Sequence, residues 1–171
     1  DGGDLRRTER GMAAKGTPAV NAAKAAGVAF RLLEYDYDPS ADAIGLAAAE
    51  ALGLDPAVVY KTLIAQLDGK TLVCAVIPVA ARLDVKALAA AGGAKKADLA
   101  DPTLAERTTG YMVGGISPLG QRKRLATFID AASGALPEMV VNGGRRGLQI
   151  ALAPADLARV LGATVARITA G

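Results

Sequence analysis

Lys61-Thr62-Leu63-Ile64-Ala65-Gln66-Leu67, then Asp68-Gly69, then Lys70-Thr71-Leu72-Val73-Cys74-Ala75-Val76-Ile77 is the stretch on which the fold turns. Two apolar runs joined by an Asp-Gly pair read as a β-hairpin, because that pair tolerates the positive φ a two-residue turn demands. The second run is unbroken in its apolar character, the mark of a buried strand. Outward from the hairpin, the helix punctuation is legible. Upstream, Thr17-Pro18 supplies an N-cap and first helical residue, and Gly27 stops that helix. Val28 to Tyr35 reads as a strand leading into a polar loop, Asp36 to Ala41. A helix follows from Ala43 to Leu52 with Gly53 past its end, and Asp55-Pro56 opens a short helix running into Tyr60. Downstream, Asp84 caps a helix from Val85 to Ala91 closed by Gly92-Gly93, and Asp101-Pro102 starts one that Gly110 ends. Tyr111–Ile116, Leu125–Asp130, Glu138–Val141 and Leu148–Leu152 read as short strands. Ala153-Pro154 then begins a helix to Leu161, and Thr164–Ile168 is a final strand. Strands do not alternate strictly with helices, so the predicted class is α+β with a mixed sheet rather than a doubly wound fold.

At 171 residues, without repeat or linker, the chain reads as one domain over residues 12–171. Residues 1–11, ahead of Met12, are expected to be a disordered leader or an added extension. Aromatics are 4% of the chain against 51% hydrophobic residues overall, so a core of small aliphatic side chains is expected. The mean hydropathy of +0.27 does not imply a membrane protein. The longest uncharged apolar stretch, Leu72 to Ala81, falls far short of the ~20 residues of a spanning helix. With no visible secretory signal, a cytoplasmic location is expected.

The chain has no histidine and one cysteine. Ser-His-Asp and Cys-His catalysis are therefore excluded, as are a zinc site built on Cys and His and an internal disulfide. Chemistry is left to lysine, carboxylates, hydroxyls, backbone amides or the substrate's own atoms. Cys74, inside the buried run, reads as an inert core residue. The formal charge of +3 is uneven: residues 12–60 carry net −3 and residues 61–171 net +6. Arg122-Lys123-Arg124, Arg145-Arg146 and Lys95-Lys96 form clusters that suit either a polyanion or a plain solvated surface.

Nucleotide-binding motifs are missing: there is no Gly-x-Gly-x-x-Gly, and Gly92-Gly93-Ala94-Lys95-Lys96 lacks P-loop spacing. Three other features stand out. Lys61 lies where a helix hands over to an apolar strand, and either snorkels to solvent or projects into a cleft beside the sheet. Gly110 to Gly120 holds four glycines and a proline around apolar pairs, as in a tight turn or a backbone held close to a ligand. Asn142-Gly143-Gly144-Arg145-Arg146-Gly147-Leu148 is a hairpin tip or an anion clamp.

Thr17-Pro18-Ala19-Val20, Val59-Tyr60-Lys61-Thr62-Leu63, Arg107-Thr108-Thr109-Gly110-Tyr111, Gly114-Gly115-Ile116-Ser117-Pro118-Leu119-Gly120 and Gly143-Gly144-Arg145-Arg146-Gly147-Leu148 together closely resemble the YbaK family. These are free-standing Cys-tRNA(Pro) deacylases, relatives of the editing domain of bacterial prolyl-tRNA synthetase. The resemblance runs from about Thr17 to Ile168.

The resemblance implies a largely antiparallel mixed sheet closing into a pseudo-barrel with flanking helices. It implies a hydrolase that cleaves the ester of mischarged Cys-tRNA(Pro), with prolyl-tRNA synthetase and tRNA in a transient ternary complex and no metal or cofactor. The family's key lysine matches Lys61, its pocket tyrosine Tyr35, and the following threonine Thr62. Its substrate loop matches Gly115, Ile116, Ser117 and Pro118, beside Gly114. Three positions depart from the pattern: Ile44 stands for a pocket phenylalanine, Asn142 for a serine and Gln149 for an aspartate. They bear on which amino acid is preferred. In the family's proposed route the substrate cysteine's own thiol attacks the ester carbonyl, so no protein nucleophile is needed. Amides near Gly115 and Ile116 are the expected oxyanion donors. Lys61 holds the terminal ribose or phosphate or lowers the thiol pKa. Arg122, Lys123, Arg124, Arg145 and Arg146 would face the tRNA. A deacylase for Ala-tRNA(Pro) or another small amino acid, and a non-catalytic tRNA-binding module, are the alternatives.

Overall fold

The computed structural model describes residues 16–40 and 43–170; the expectation for residues 1–11 lies outside them. Helix α1 (Pro18–Ala26) begins at Thr17, whose Oγ1 accepts from the Val20 N–H at 3.1 Å, and ends at Gly27 with φ 70°. Strand β1 (Phe30–Glu34), helix α2 (Ile44–Leu52), and hairpin strands β2 (Tyr60–Leu67) and β3 (Thr71–Pro78) follow. Asp68 and Gly69 both adopt positive φ, 52° and 67°, as the turn requires. Asp68 Oδ1 also accepts from the N–H groups of Lys95 (3.1 Å) and Lys96 (3.0 Å), tying the turn to the next segment. Helix α3 (Val85–Ala91), strand β4 (Ala97–Leu99), helix α4 (Pro102–Thr109), strands β5 (Ala126–Asp130), β6 (Met139–Asn142) and β7 (Leu148–Leu152), helix α5 (Pro154–Leu161) and strand β8 (Thr164–Ala166) complete the order.

The strands form two sheets, β1-β7-β6 and β4-β2-β3-β5-β8. Four pairings are antiparallel, and β3–β5 and β5–β8 are parallel. The architecture is thus α+β with mixed sheets. Among the described pairings the sheets do not close into a ring; a bridge between Val59 and Val140 joins their ends. The main core lies between them, with Leu32, Met139, Val141, Leu148 and Ile150 on one side and Tyr60, Ile64, Cys74, Val76 and Ile129 on the other. The opposite face of β3, with Val73, Ala75 and Ile77, packs under Leu88 and Ala89 of α3. Burial on both faces explains the absence of polar alternation in β3.

Two readings need correction. Asp55-Pro56 opens only a single 3-10 turn, Pro56–Val58, and Tyr60 already belongs to β2. Tyr111–Ile116 is not a strand but part of a loop. Gly110, Gly114 and Gly120 have φ of 82°, 91° and 67°, which the extended ladder cannot accommodate. Among the described residues no helix is long and apolar enough to cross a membrane.

Candidate active site

Strand β4 pairs with β2 only over Ala65–Leu67, and just before it the Ala100 N–H donates to the Ile64 carbonyl at 2.9 Å. Over Lys61–Leu63 no described strand pairs with the edge of β2 opposite β3. The gap is a cleft of about 510 Å³. Lys61 and Thr62 of β2, Ile44 of α2, Gly114 and Ile116 of the glycine loop, and Asn142 and Gln149 of the smaller sheet all line it. Leu99, Pro102 and Ala105 form a further wall.

Lys61 therefore projects into a cleft rather than to open solvent. It is half-buried and takes part in none of the described ion pairs. Burial lowers its pKa. Among the described lining residues it carries the one formal charge. A lone cation beside apolar walls favours an anionic or thiolate group.

Asn142 and Gln149 are opposite each other in the β6–β7 register and so share a face. Both ends of Asn142 are engaged: Nδ2 donates to the Gly114 carbonyl at 3.4 Å, and Oδ1 accepts from the Gly144 N–H at 2.6 Å. Gln149 is 4% exposed, and its Oε1 has no hydrogen-bond partner among the described residues. The same is true of the Thr62 hydroxyl.

The glycine loop is shaped by close approaches. A Cβ at Gly115 would lie 2.8 Å from Arg145 Cα, and one at Gly114 would lie 2.6 Å from Arg146 Nε and 2.8 Å from Ile44 Cδ1. Ser117 and Pro118 are buried behind the cleft rather than lining it. The Ser117 hydroxyl accepts from the Leu119 N–H at 3.2 Å, and its carbonyl from Gln121 Nε2 at 3.0 Å. Tyr111 anchors the same loop by donating from its hydroxyl to the Leu119 carbonyl at 2.7 Å. The expected oxyanion pair is reduced to one, because the Gly115 N–H donates to the Met112 carbonyl at 2.8 Å. The Ile116 amide has no partner among the described residues.

Tyr35 lies outside this cleft. It lines an adjoining cavity of about 570 Å³ with Asp36, Tyr37, Asp38, Glu50 and Arg146, and Ile44 is common to both. The five basic residues also divide. Arg122, Lys123 and Arg124 are exposed, whereas Arg145 and Arg146 are half-buried in the wall around the loop. Arg145 is 3.8 Å from Glu34, and Arg146 donates to the Pro39 carbonyl at 3.4 Å. The walls from Leu99, Pro102 and Ala105 had no sequence signal. Asp101-Pro102 announces a helix start but not what the helix packs against. Cys74 is fully buried, and burial pushes its thiol up to about 12, so it is no nucleophile.

Residues 38–160 match the model of the aminoacyl-tRNA editing domain. A protein of Enterococcus faecalis, provisionally named Cys-tRNA(Pro)/Cys-tRNA(Cys) deacylase EbsC, is 36% identical over 137 residues, 80% of this chain and 84% of that protein. A crystal structure known as hypothetical protein APE2540 superposes with a TM-score of 0.81 at 26% identity, covering 90% of this chain and all of that one (100%). Another, provisionally described as a trans-editing enzyme for prolyl tRNA synthetase, gives 0.78 at 22% identity, covering 90% and 96%.

Proposed function

Because the chain belongs to the aminoacyl-tRNA editing domain family, we propose that it is a trans-editing deacylase that hydrolyses mischarged Cys-tRNA(Pro). The observation that carries the reading is Lys61, a lone half-buried cation on the free edge of β2, in a cleft whose described lining holds no cysteine, histidine or serine. A space of about 510 Å³ suits an aminoacyl group with part of its ribose. The chemistry then comes from the substrate. The cysteine thiol ionises beside Lys61 and its sulfur attacks the ester carbonyl carbon. The S–C bond forms, the C–O bond to the ribose breaks, and the ribose oxygen takes up the proton the thiol released. Water opens the resulting thiolactone to free cysteine. Lys61 stabilises the thiolate or holds the terminal phosphate, and the Ile116 amide is the oxyanion donor.

The name of the Enterococcus relative supports the cysteinyl substrate. The description of the trans-editing structure is in keeping with a transient complex with prolyl-tRNA synthetase, and the location we propose for that complex is the cytoplasm. On this reading the two sheets, bridged at Val59 and Val140, are the walls of the family's pseudo-barrel. Arg122, Lys123 and Arg124, exposed together, meet the tRNA backbone. Incubation with labelled Cys-tRNA(Pro) and Ala-tRNA(Pro) tests the function: cysteine is released well above the uncatalysed rate. No release at micromolar protein would overturn it.

A further inference from the structure

Gln149 is a buried side chain of the cleft whose carbonyl oxygen no group of the described residues meets; the Tyr60 and Thr62 hydroxyls in the lining are also unpartnered, but they can donate as well as accept. It stands on β7, the central strand of the smaller sheet, between Leu33 of β1 and Asn142 of β6. Its residue is 4% exposed and its Oε1 is sealed from solvent without a partner, while it lines the cleft. An amide oxygen left in that state costs stability, and a packed apolar side chain would avoid the cost. Asn142, opposite it on the same face, is satisfied at both ends by the loop backbone. On the β2 side the Thr62 hydroxyl oxygen is also buried and unpartnered. Thr62 shares the β2 face of Tyr60 and Ile64, however, whereas Gln149 shares the β7 face that looks away from Leu148 and Ile150, so the two oxygens do not stand on one face.

We infer that Gln149 Oε1 accepts a hydrogen bond from the α-amino group of the bound aminoacyl ester. The inference rests on the deacylase reading and assigns a ligand group to one part of its site. An amino group offers two or three N–H donors, enough to meet an acceptor that the fold leaves unpartnered. A thiol is a poor donor and would not offset the desolvation of a carbonyl oxygen. As a thiolate it has no proton to give and would be drawn to Lys61 instead. Among the described lining residues there is no carboxylate, so the amino group is met by a neutral oxygen and Lys61 keeps its charge unpaired. The cleft therefore separates two tasks, a cation for the reacting sulfur or phosphate and a neutral acceptor for the amine.

The test compares two esters on the same tRNA(Pro), one of cysteine and one of 3-sulfanylpropanoic acid, which keeps the thiol and lacks the α-amine. Wild-type protein is expected to favour the cysteinyl ester. Gln149→Met removes the acceptor at similar volume, and its kcat/KM should fall about 10-fold more on the cysteinyl than on the desamino ester. Turnover of the desamino ester reports that the variant is folded. Should Gln149→Met not fold, Gln149→Glu carries the comparison: it keeps an acceptor oxygen at the same place and should retain or raise the preference for the cysteinyl ester, and a lost preference would overturn the inference. Equal losses on both esters would overturn the inference while leaving the deacylase intact. A wild-type protein that cleaves neither ester would instead remove the functional reading on which it rests.

Discussion

Lys61 has its position because β2 begins pairing with β4 only at Ala65, four residues later, which leaves the strand edge beside the lysine open. A shift of one residue in register would turn Lys61 to the opposite face. Removing the only charge that the described cleft lining carries should cost transition-state stabilisation without disturbing the core. Lys61→Ala is expected to lower kcat/KM for Cys-tRNA(Pro) about 100-fold, with thermal stability unchanged or raised, since the half-buried ammonium is itself disfavoured by burial. Single-turnover deacylation beside a melting curve checks both halves. The presence of a distinctive lysine was legible in the sequence, from its place before an apolar strand. Its direction was not, because snorkelling and projection into a cleft require the same residues. Gln149 was legible only as a departure from a family pattern. That its oxygen is buried and unpartnered is a matter of tertiary packing, as is the engagement of its neighbour Asn142 with Gly114, 28 residues before Asn142.

At the scale of elements, the segments whose signals are local came out as read. The Asp68-Gly69 hairpin, the Thr17-Pro18 start and the Gly27, Gly53 and Gly162 stops are each decided by a few adjacent residues. Tyr111–Ile116 was misread because apolar pairs resemble a strand until the glycine dihedrals are known. That loop is fixed by contacts distant in sequence, chiefly the Arg145 backbone against Gly115. Gly115→Ala should therefore destabilise the protein by about 1–3 kcal/mol, because a backbone atom rather than a mobile side chain must give way. It should also reduce deacylation by displacing the Ile116 amide. Denaturant unfolding with an activity assay measures both. Normal activity in a protein of unchanged stability would show that the loop is not held as described. The two-sheet arrangement was similarly out of reach, since the parallel β3–β5 pairing joins segments about 50 residues apart.

Across the whole molecule, charge and proton binding give two further expectations. Arg122, Lys123 and Arg124 form the exposed part of the basic half, while Arg145 and Arg146 are engaged around the loop. Replacing the first three with alanine should weaken tRNA binding and flatten the slope of log K against log salt by about 2, measured by titration at several ionic strengths. An unchanged slope would place the tRNA on another face. The second concerns alkaline stability. Burial pushes Cys74, Tyr60 and Tyr111 up to about 12 in the folded protein, above ordinary values of 9.0 for the thiol and 10.0 for the phenols. Between pH 9 and 12 the folded state then holds more protons than the unfolded chain, so stability is complete below pH 9 and falls as pH rises. Lys61 opposes this slightly, its pKa being lowered on folding. Cys74→Ser should reduce the slope just above pH 9 and leave deacylation near the wild-type rate. Its melting temperature against pH shows the first, and loss of turnover in the folded variant would contradict the second.

The central claim is that a cleft with neither histidine nor an accessible cysteine hydrolyses an ester because the substrate brings the sulfur. Cysteine and serine esters of the same tRNA(Pro), differing in one atom, test it most directly. The account predicts rapid release of cysteine and release of serine close to the uncatalysed rate. Comparable enzymatic rates for the two would contradict it.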